Sequence, residues 1–139
     1  MIRENSERDA LYSFYSGELE DLAGEVTELC TGDFDGCEFF EVSIERSRDG
    51  GTWKVHEFPS FEERTARAIR NHLKAGDVVR LDFEADERME FIICRTEDTE
   101  AVSRFIGREE LEDHSGELVV VGTGGPERVR RDFLERLGK

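Results

Sequence analysis

The sequence contains few cysteines and no long apolar run, and each shortage excludes a class of protein. Among 139 residues there are 3 cysteines. An odd number of cysteines without framework spacing favours reduced thiols over disulfides. No segment approaches the roughly 18 consecutive apolar residues of a membrane-spanning helix, and the N-terminus lacks the apolar stretch of a signal peptide. The sequence therefore predicts a cytoplasmic protein without a membrane partner.

Basic residues are much fewer than acidic ones, and lysine is especially rare. The chain has 34 acidic and 19 basic residues, a formal net charge of −15, and its only lysines are Lys54, Lys74 and Lys139. At molar salt the Debye length falls to about 3 Å, so the self-repulsion of such an acidic chain is screened. The composition therefore favours a halophilic source, with an ordinary acidic protein as the alternative. Because molar salt also weakens counterion release, the acidic charge excludes nucleic acid less firmly than usual.

Apolar periodicity is present along most of the chain, and it predicts nine elements in a single domain, residues 1–139. Helices are predicted at 7–30, 60–75, 98–107 and 126–137. Strands are predicted at 38–46, 52–58, 79–84, 89–95 and 118–121. Alternating apolar and polar residues mark the central strands, and Asp49-Gly50-Gly51 is a hairpin signal.

The order of these elements predicts the fold class. From residue 52 to residue 122 the order is β-α-β-β-α-β, which is that of a ferredoxin-like split βαβ. We therefore expect an α+β domain with a mainly antiparallel sheet covered by helices. The N-terminal helix, the first strand and the C-terminal helix would be additions to the ferredoxin-like core. An exposed sheet edge or the amphipathic first helix would suit assembly into a homodimer.

A glycine-rich segment stands between the last predicted strand and the last predicted helix. Helix N-termini attract phosphate and Arg128 adds positive charge there, so the segment is a candidate anion site. The candidate residues are Gly122, Thr123, Gly124, Gly125 and Arg128. The segment lacks the lysine of a Walker loop and the third glycine of a dinucleotide fingerprint. An ordinary strand-to-helix turn, with Pro126 at the first helical position, is the alternative.

Basic residues are concentrated in the second part of the chain. Residues 60–139 hold 14 basic and 19 acidic groups, whereas residues 1–59 hold 5 and 15. Several lie at helical spacing on the second and last predicted helices, which predicts an anion-binding face. The nucleic-acid-binding candidates are Arg64, Arg67, Lys74 and Arg131. The alternative is a solvated face in which arginines pair with glutamates one turn away.

The sequence predicts no catalytic residue, metal ligand or cofactor. Cys30 and Cys37 are too far apart for a paired zinc motif, and no Ser-His-Asp or Cys-His arrangement can be recognised. Three functions follow in order of preference. The first is a non-enzymatic binding or interaction module, and the second is a nucleic-acid-associated protein using the arginine-bearing helices. The third is an enzyme acting on a phosphorylated small molecule at Gly122–Gly125.

Overall fold

A computed structural model of the chain describes residues 2–5, 10–30, 39–46, 49–57, 63–83 and 87–138, and within these ranges it contains seven strands and five helices. The strands are Arg3–Asn5 (β1), Ala10–Tyr15 (β2), Phe39–Glu45 (β3), Thr52–Glu57 (β4), Val78–Phe83 (β5), Arg88–Arg95 (β6) and Leu118–Gly124 (β7). The helices are Leu19–Cys30 (α1), Glu63–His72 (α2), Thr99–Val102 (α3), Arg108–Asp113 (α4) and Glu127–Leu137 (α5). No described helix is long and apolar enough to cross a membrane.

The strands form one antiparallel sheet in the order β1-β2-β7-β6-β5-β3-β4. Three helices cover one face of this sheet, and α1 contacts both α2 and α5. The main core lies beneath them, where Phe91 of β6 stacks on Phe133 of α5 with ring centroids 4.2 Å apart. Full burial of one such side chain contributes about 1.5–3 kcal/mol. The predicted α+β class with a mainly antiparallel sheet is confirmed.

The opposite face of the sheet is covered over only part of its width. Its smaller core joins β2, β6 and β7 to the α3–α4 segment through buried side chains including Phe14, Val119 and Leu111. On the same face of β5, Arg80 pairs with Glu45 and Glu90. The sheet is therefore apolar on both faces at β2 and β7, and polar on one face at β5 and β3.

The predicted helix at 7–30 is wrong over its first part, because residues 10–15 form β2. All six side chains of this strand are buried, with Leu11 and Tyr15 in the main core and Tyr12 and Phe14 in the smaller one. A strand covered on both faces has no polar alternation, so its apolar residues also fit a helical stripe. The helix begins only at Leu19, after Gly17. Residues 7–9, at the predicted start of this helix, lie outside the described residues.

The ferredoxin-like core is not confirmed, since the strand order differs from that of the fold. In the ferredoxin-like fold, each helical connection joins two strands that are separated in the sheet by a third strand. Here the connection from β4 to β5 passes over β3, but β6 and β7 are direct antiparallel neighbours. β3 pairs with β4 on one side, through the hairpin, and with β5 on the other side. Periodicity alone does not specify this second pairing.

Three boundaries also differ from the predictions. The helix predicted at 98–107 ends at Val102, and a separate helix, α4, buries Leu111 in a segment where the sequence predicts no element. The last strand continues to Gly124, three residues beyond its predicted end. The helix predicted at 60–75 ends at His72, and residues 60–62 at its predicted start lie outside the described residues.

Candidate functional site

A cleft lies where the β3–β4 hairpin meets the end of α2, and we call it the α2 cleft. It has a volume of about 360 Å³, at the lower end of the range of about 300–1,000 Å³ for small-molecule sites. Its lining residues are Ile44, Arg46, Asp49, Trp53, His72, Lys74 and Asp77. Aromatic, cationic and acidic groups therefore meet in one concave region.

The hairpin turn fixes one wall of the α2 cleft. The backbone N–H of Arg46 donates to the carbonyl of Gly51 at 2.9 Å, and the N–H of Gly50 donates to the carbonyl of Arg46 at 2.8 Å. Asp49 accepts a hydrogen bond from the N–H of Gly51 at 2.9 Å and pairs with Arg46 at 3.1 Å. The Arg46 charge is therefore partly neutralised by its own turn.

The opposite wall is the turn that follows α2. The buried Asp77 accepts a hydrogen bond from the backbone N–H of Lys74 at 2.8 Å, and its own N–H donates to the Lys74 carbonyl at 3.1 Å. Gly76 has φ of +92° and lies within this turn, four residues after the end of α2 at His72. This turn holds the Lys74 backbone at the cleft while leaving its side chain exposed.

An aromatic pair lines the α2 cleft. The rings of Trp53 and His72 meet edge to face, with centroids 4.9 Å apart and planes at 66°. Trp53 is half-buried and packs against the main core, whereas His72 is exposed. Trp53 is the only tryptophan of the chain, so its fluorescence reports on this cleft alone.

Two exposed cations at the end of α2, Arg70 and Lys74, have no carboxylate paired with them within the described part of the chain. A second concavity of about 350 Å³ lies between α1 and α2, and Lys74 lines it as well as the α2 cleft. Its other lining residues are Leu19, Glu20, Ala23, Arg70, Asn71 and Leu73. We call it the α1–α2 groove.

The predicted nucleic-acid candidates do not form one continuous surface. Arg67 and Lys74 are exposed at α2, but Arg131 is on α5, where it pairs with Glu127 at 3.2 Å. Helix α1 contacts both of these helices. Its exposed residues include Glu20 and Asp21, so acidic charge lies between the two basic helices. The side chain of Arg64 is outside the described part of the structure.

The glycine-rich segment is mostly strand. Gly122 pairs with Leu11 and Phe91, and Thr123 pairs with Ala10. Gly124 and Gly125 have φ of +74° and +67°, and a Cβ on Gly124 would lie 2.5 Å from the Arg88 carbonyl oxygen. Turn geometry and close packing therefore account for these two glycines without a ligand.

Beneath this segment lies Arg130, which helical spacing alone groups with the exposed basic residues of α5. Arg130 is 1% exposed, and its guanidinium donates to the carbonyl of Gly124 and, at 3.4 Å, to that of Gly125. Its side chain fits because Gly122 has none: a Cβ there would lie 3.0 Å from the Arg130 Cγ. Arg128 is exposed, and Pro126 is the N-cap residue of α5 rather than its first helical residue.

A second polar cluster brings together a serine, a glutamate and a histidine that sequence reasoning did not connect. Ser16 donates to one carboxylate oxygen of Glu117, and the other oxygen contacts the His114 Nδ1. The hydrogen bond from Ser16 is the main reason that the pKa of Glu117 is lowered. A nucleophilic triad requires the histidine between the serine and the carboxylate. Here the carboxylate is in the middle, so His114 is not placed to act as a base toward Ser16.

Glu110, another carboxylate on the same face of the sheet, also has two side-chain partners. Tyr12 donates to it at 2.7 Å, and Arg3 pairs with it at 2.5 Å. Burial, together with the hydrogen bond to Glu110, raises the pKa of Tyr12 to about 12. These groups use one another as partners, which is typical of a structural network rather than a ligand site.

Other acidic and thiol side chains in the described residues also have local partners or burial that account for them. Asp82 pairs with Arg88 at 2.6 Å, and Glu90 pairs with Arg80. Burial raises the pKa of the Cys94 thiol to about 11, which disfavours the thiolate. No group of three or more histidine, cysteine or acidic side chains in the described ranges has a metal-binding arrangement.

The chain matches no protein-family model, no curated protein and no solved structure. Its function therefore has to be inferred from the geometry of the α2 cleft.

Proposed function

We propose that the protein is a non-enzymatic binding module and that its ligand is an anion seated in the α2 cleft. The observation that carries this proposal is a concave site in which an aromatic pair lies beside Lys74, a cation without an ion pair among the described residues. The ligand's anionic group contacts Lys74 and its apolar part contacts Trp53. The carboxylates of Asp49 and Asp77 already accept hydrogen bonds from backbone N–H groups, so they compete less for Lys74.

The negative end of the α2 dipole is an alternative reason for cations at this position. A helix carries roughly half a negative charge at its C-terminus, and a favourable cation there contributes about 0.3–1 kcal/mol. Arg70 and Lys74 together carry two positive charges, with His72 between them. Their charge exceeds what the dipole requires, which supports a ligand.

Tryptophan fluorescence tests the proposal directly. We expect inorganic tripolyphosphate, added to the folded full-length chain, to change the Trp53 emission with a saturating dependence on concentration. Lys74→Ala should weaken this response, whereas Arg131→Ala, which removes a paired cation on α5, should leave it unchanged. A folded protein whose emission does not respond, or responds equally in both variants, would contradict the proposal.

The enzyme alternative at Gly122–Gly125 has less support. The packing of Gly124 and the hydrogen bonds from Arg130 to two carbonyls occupy this turn. An anion bound there would contact the first N–H groups of α5 next to Glu127, which repels it. Crystals soaked in sulfate provide the test, and an ordered sulfate at this turn would restore the alternative.

We also propose that the protein functions in a salt-rich cytoplasm, on the basis of its net charge of −15 and its three lysines. Molar salt screens the repulsion among acidic residues such as those exposed on α1. Far-UV circular dichroism should show unfolding as KCl falls well below about 1 M. Full secondary structure at about 50 mM KCl would contradict this salt requirement.

A homodimer is the oligomeric state that we propose. β4 is an edge strand of the sheet, and edge strands pair readily with a second copy. The amphipathic first helix, the other predicted contact, packs in the main core through Leu22 and Val26. Light scattering in about 2 M KCl measures the mass, and a monomer at all concentrations would exclude the dimer.

A further inference from the structure

We propose that the α2 cleft and the α1–α2 groove act together as a binding site for single-stranded nucleic acid. In this arrangement a base packs against Trp53, and two consecutive phosphates contact Lys74 and Arg70. The inference rests on the proposed function and deepens it by naming the ligand class. Nucleic-acid binding was predicted from a different set of residues, since neither Trp53 nor Arg70 was a candidate.

The α2 cleft and the α1–α2 groove meet at Lys74. Lys74 lines both, with Trp53 and His72 on one side and Arg70 and Asn71 on the other. The site therefore alternates an aromatic region, a cation, a groove and a second cation. Single-strand sites have this composition, because bases stack on aromatic side chains while the backbone follows a cationic groove.

The local charge limits how long a bound strand can be. Glu20 lines the α1–α2 groove, and the rest of α1 is acidic, so a phosphate beyond Arg70 meets negative charge. Asp49 and Asp77 similarly bound the α2 cleft. Two phosphates are therefore the number that the site accommodates, and a long duplex with phosphates on both strands would be repelled.

High salt favours the same interpretation. In molar salt the Debye length is about 3 Å, so only direct contacts to phosphate retain strength. Base stacking depends less on ionic strength than phosphate contacts do, and Trp53 supplies a surface for it. A site that combines one aromatic contact with two direct cation contacts suits a strand-binding protein of this composition.

The chemistry shared by a free nucleotide and a nucleic-acid strand is a base with a phosphate, and three probes separate these ligands. Full-length protein is titrated with inorganic tripolyphosphate, uridine monophosphate and an oligouridylate of eight nucleotides, with Trp53 emission as the readout. We expect the octamer to bind roughly tenfold or more tightly than either small probe, because it provides both a base and a second phosphate.

Each other outcome overturns a defined part of the proposal. Tripolyphosphate binding as tight as octamer binding would mean an anion site without base recognition, leaving the proposed function intact. Equal binding of the monophosphate and the octamer would indicate a nucleotide site rather than a strand site. If no probe binds the folded chain, the proposed function fails as well.

Substitutions and salt dependence provide a second test, with a labelled octamer followed by fluorescence anisotropy. Lys74→Ala and Arg70→Ala should each weaken binding by about tenfold. Arg131→Ala is the matched control. The logarithm of affinity should fall with the logarithm of salt concentration with a slope of about −1.4, since two phosphates on a single strand contribute about −0.7 each. A slope near zero, or an equal loss in the control, would overturn the assignment.

Trp53→Phe tests the aromatic contact. Phenylalanine retains an apolar ring in the core, so the circular dichroism spectrum should be unchanged while octamer affinity falls by roughly threefold to tenfold. Tripolyphosphate affinity, measured by calorimetry, should stay the same. An equal fall for both probes would mean that Trp53 only shapes the cleft.

Discussion

Helices α2 and α5 both carry cations at helical spacing in the sequence, but these cations have different partners in the structure. In α5, Arg130 is buried under the turn at Gly124, while Arg131 and Arg136 pair with acidic residues one helical turn away. At the end of α2, Arg70 and Lys74 are exposed beside concave surfaces and have no ion pair among the described residues. The comparison separates cations that serve the fold from cations available to a ligand.

The largest effect should follow from removing Arg130. Arg130→Ala leaves a cavity in the core and removes the donor to the Gly124 and Gly125 carbonyls, so we expect a loss of about 3–5 kcal/mol in unfolding free energy. Arg70→Ala should change it by less than about 0.5 kcal/mol. Denaturant unfolding in molar KCl measures both. Similar values for the two variants would remove the distinction between the helices.

Two glycines with positive φ, one at the turn before α5 and one at the hairpin beside the α2 cleft, should differ in how much an added Cβ destabilises the fold. Gly124 and Gly50 both have positive φ, but of the two only Gly124 would bring a Cβ against a backbone atom, the Arg88 carbonyl oxygen. Gly124→Ala should therefore cost roughly 2–4 kcal/mol, and Gly50→Ala, at the hairpin beside the α2 cleft, about 1–2 kcal/mol. Thermal unfolding measures the difference, and equal costs would mean that the turn at Gly124 relaxes.

Replacing Ser16 should lower the unfolding free energy by a smaller amount, and this loss should depend on pH. Its hydrogen bond lowers the pKa of Glu117, so this carboxylate stabilises the fold above its ordinary pKa of 4.5. That contribution is lost as pH falls through the folded-state pKa. Ser16→Ala should cost about 0.5–1 kcal/mol at neutral pH and less at low pH. A cost independent of pH would exclude the hydrogen bond as its source.

The smallest effect should come from Arg131. Its pair with Glu127 is a surface pair one helical turn apart, which contributes about 0.3–0.5 kcal/mol and is weakened by salt. Arg131→Ala should therefore be nearly neutral in molar KCl. A loss above about 1 kcal/mol would mean that α5 uses this arginine in a larger network.

Several elements could be predicted from sequence because their signals are local. The β3–β4 hairpin, β5, β6 and α5 follow from alternation, turn residues and helical spacing. β2 could not be predicted in the same way, because burial on both faces removes the polar alternation of its residues. Strand order likewise depends on long-range pairing, as between β2 and β7.

The candidate site was only partly predictable for a related reason. Helical spacing identifies Lys74, but its neighbours Arg46 and Trp53 come from a hairpin 20 or more residues earlier in the chain. Arg130 carries the same signal as Arg131, although one is buried and the other paired. A side chain's partners depend on packing between elements, which spacing within one helix does not encode.

The most direct test of the account is a heteronuclear NMR titration with the uridine octamer. Trp53 gives the single indole N–H signal of the chain, and the backbone amides report on both helices. We expect shifts at the Trp53 indole and at residues 70–77, with residues 122–131 unchanged. Shifts at residues 122–131 with an unchanged Trp53 signal would place the ligand at the turn before α5 and contradict the account.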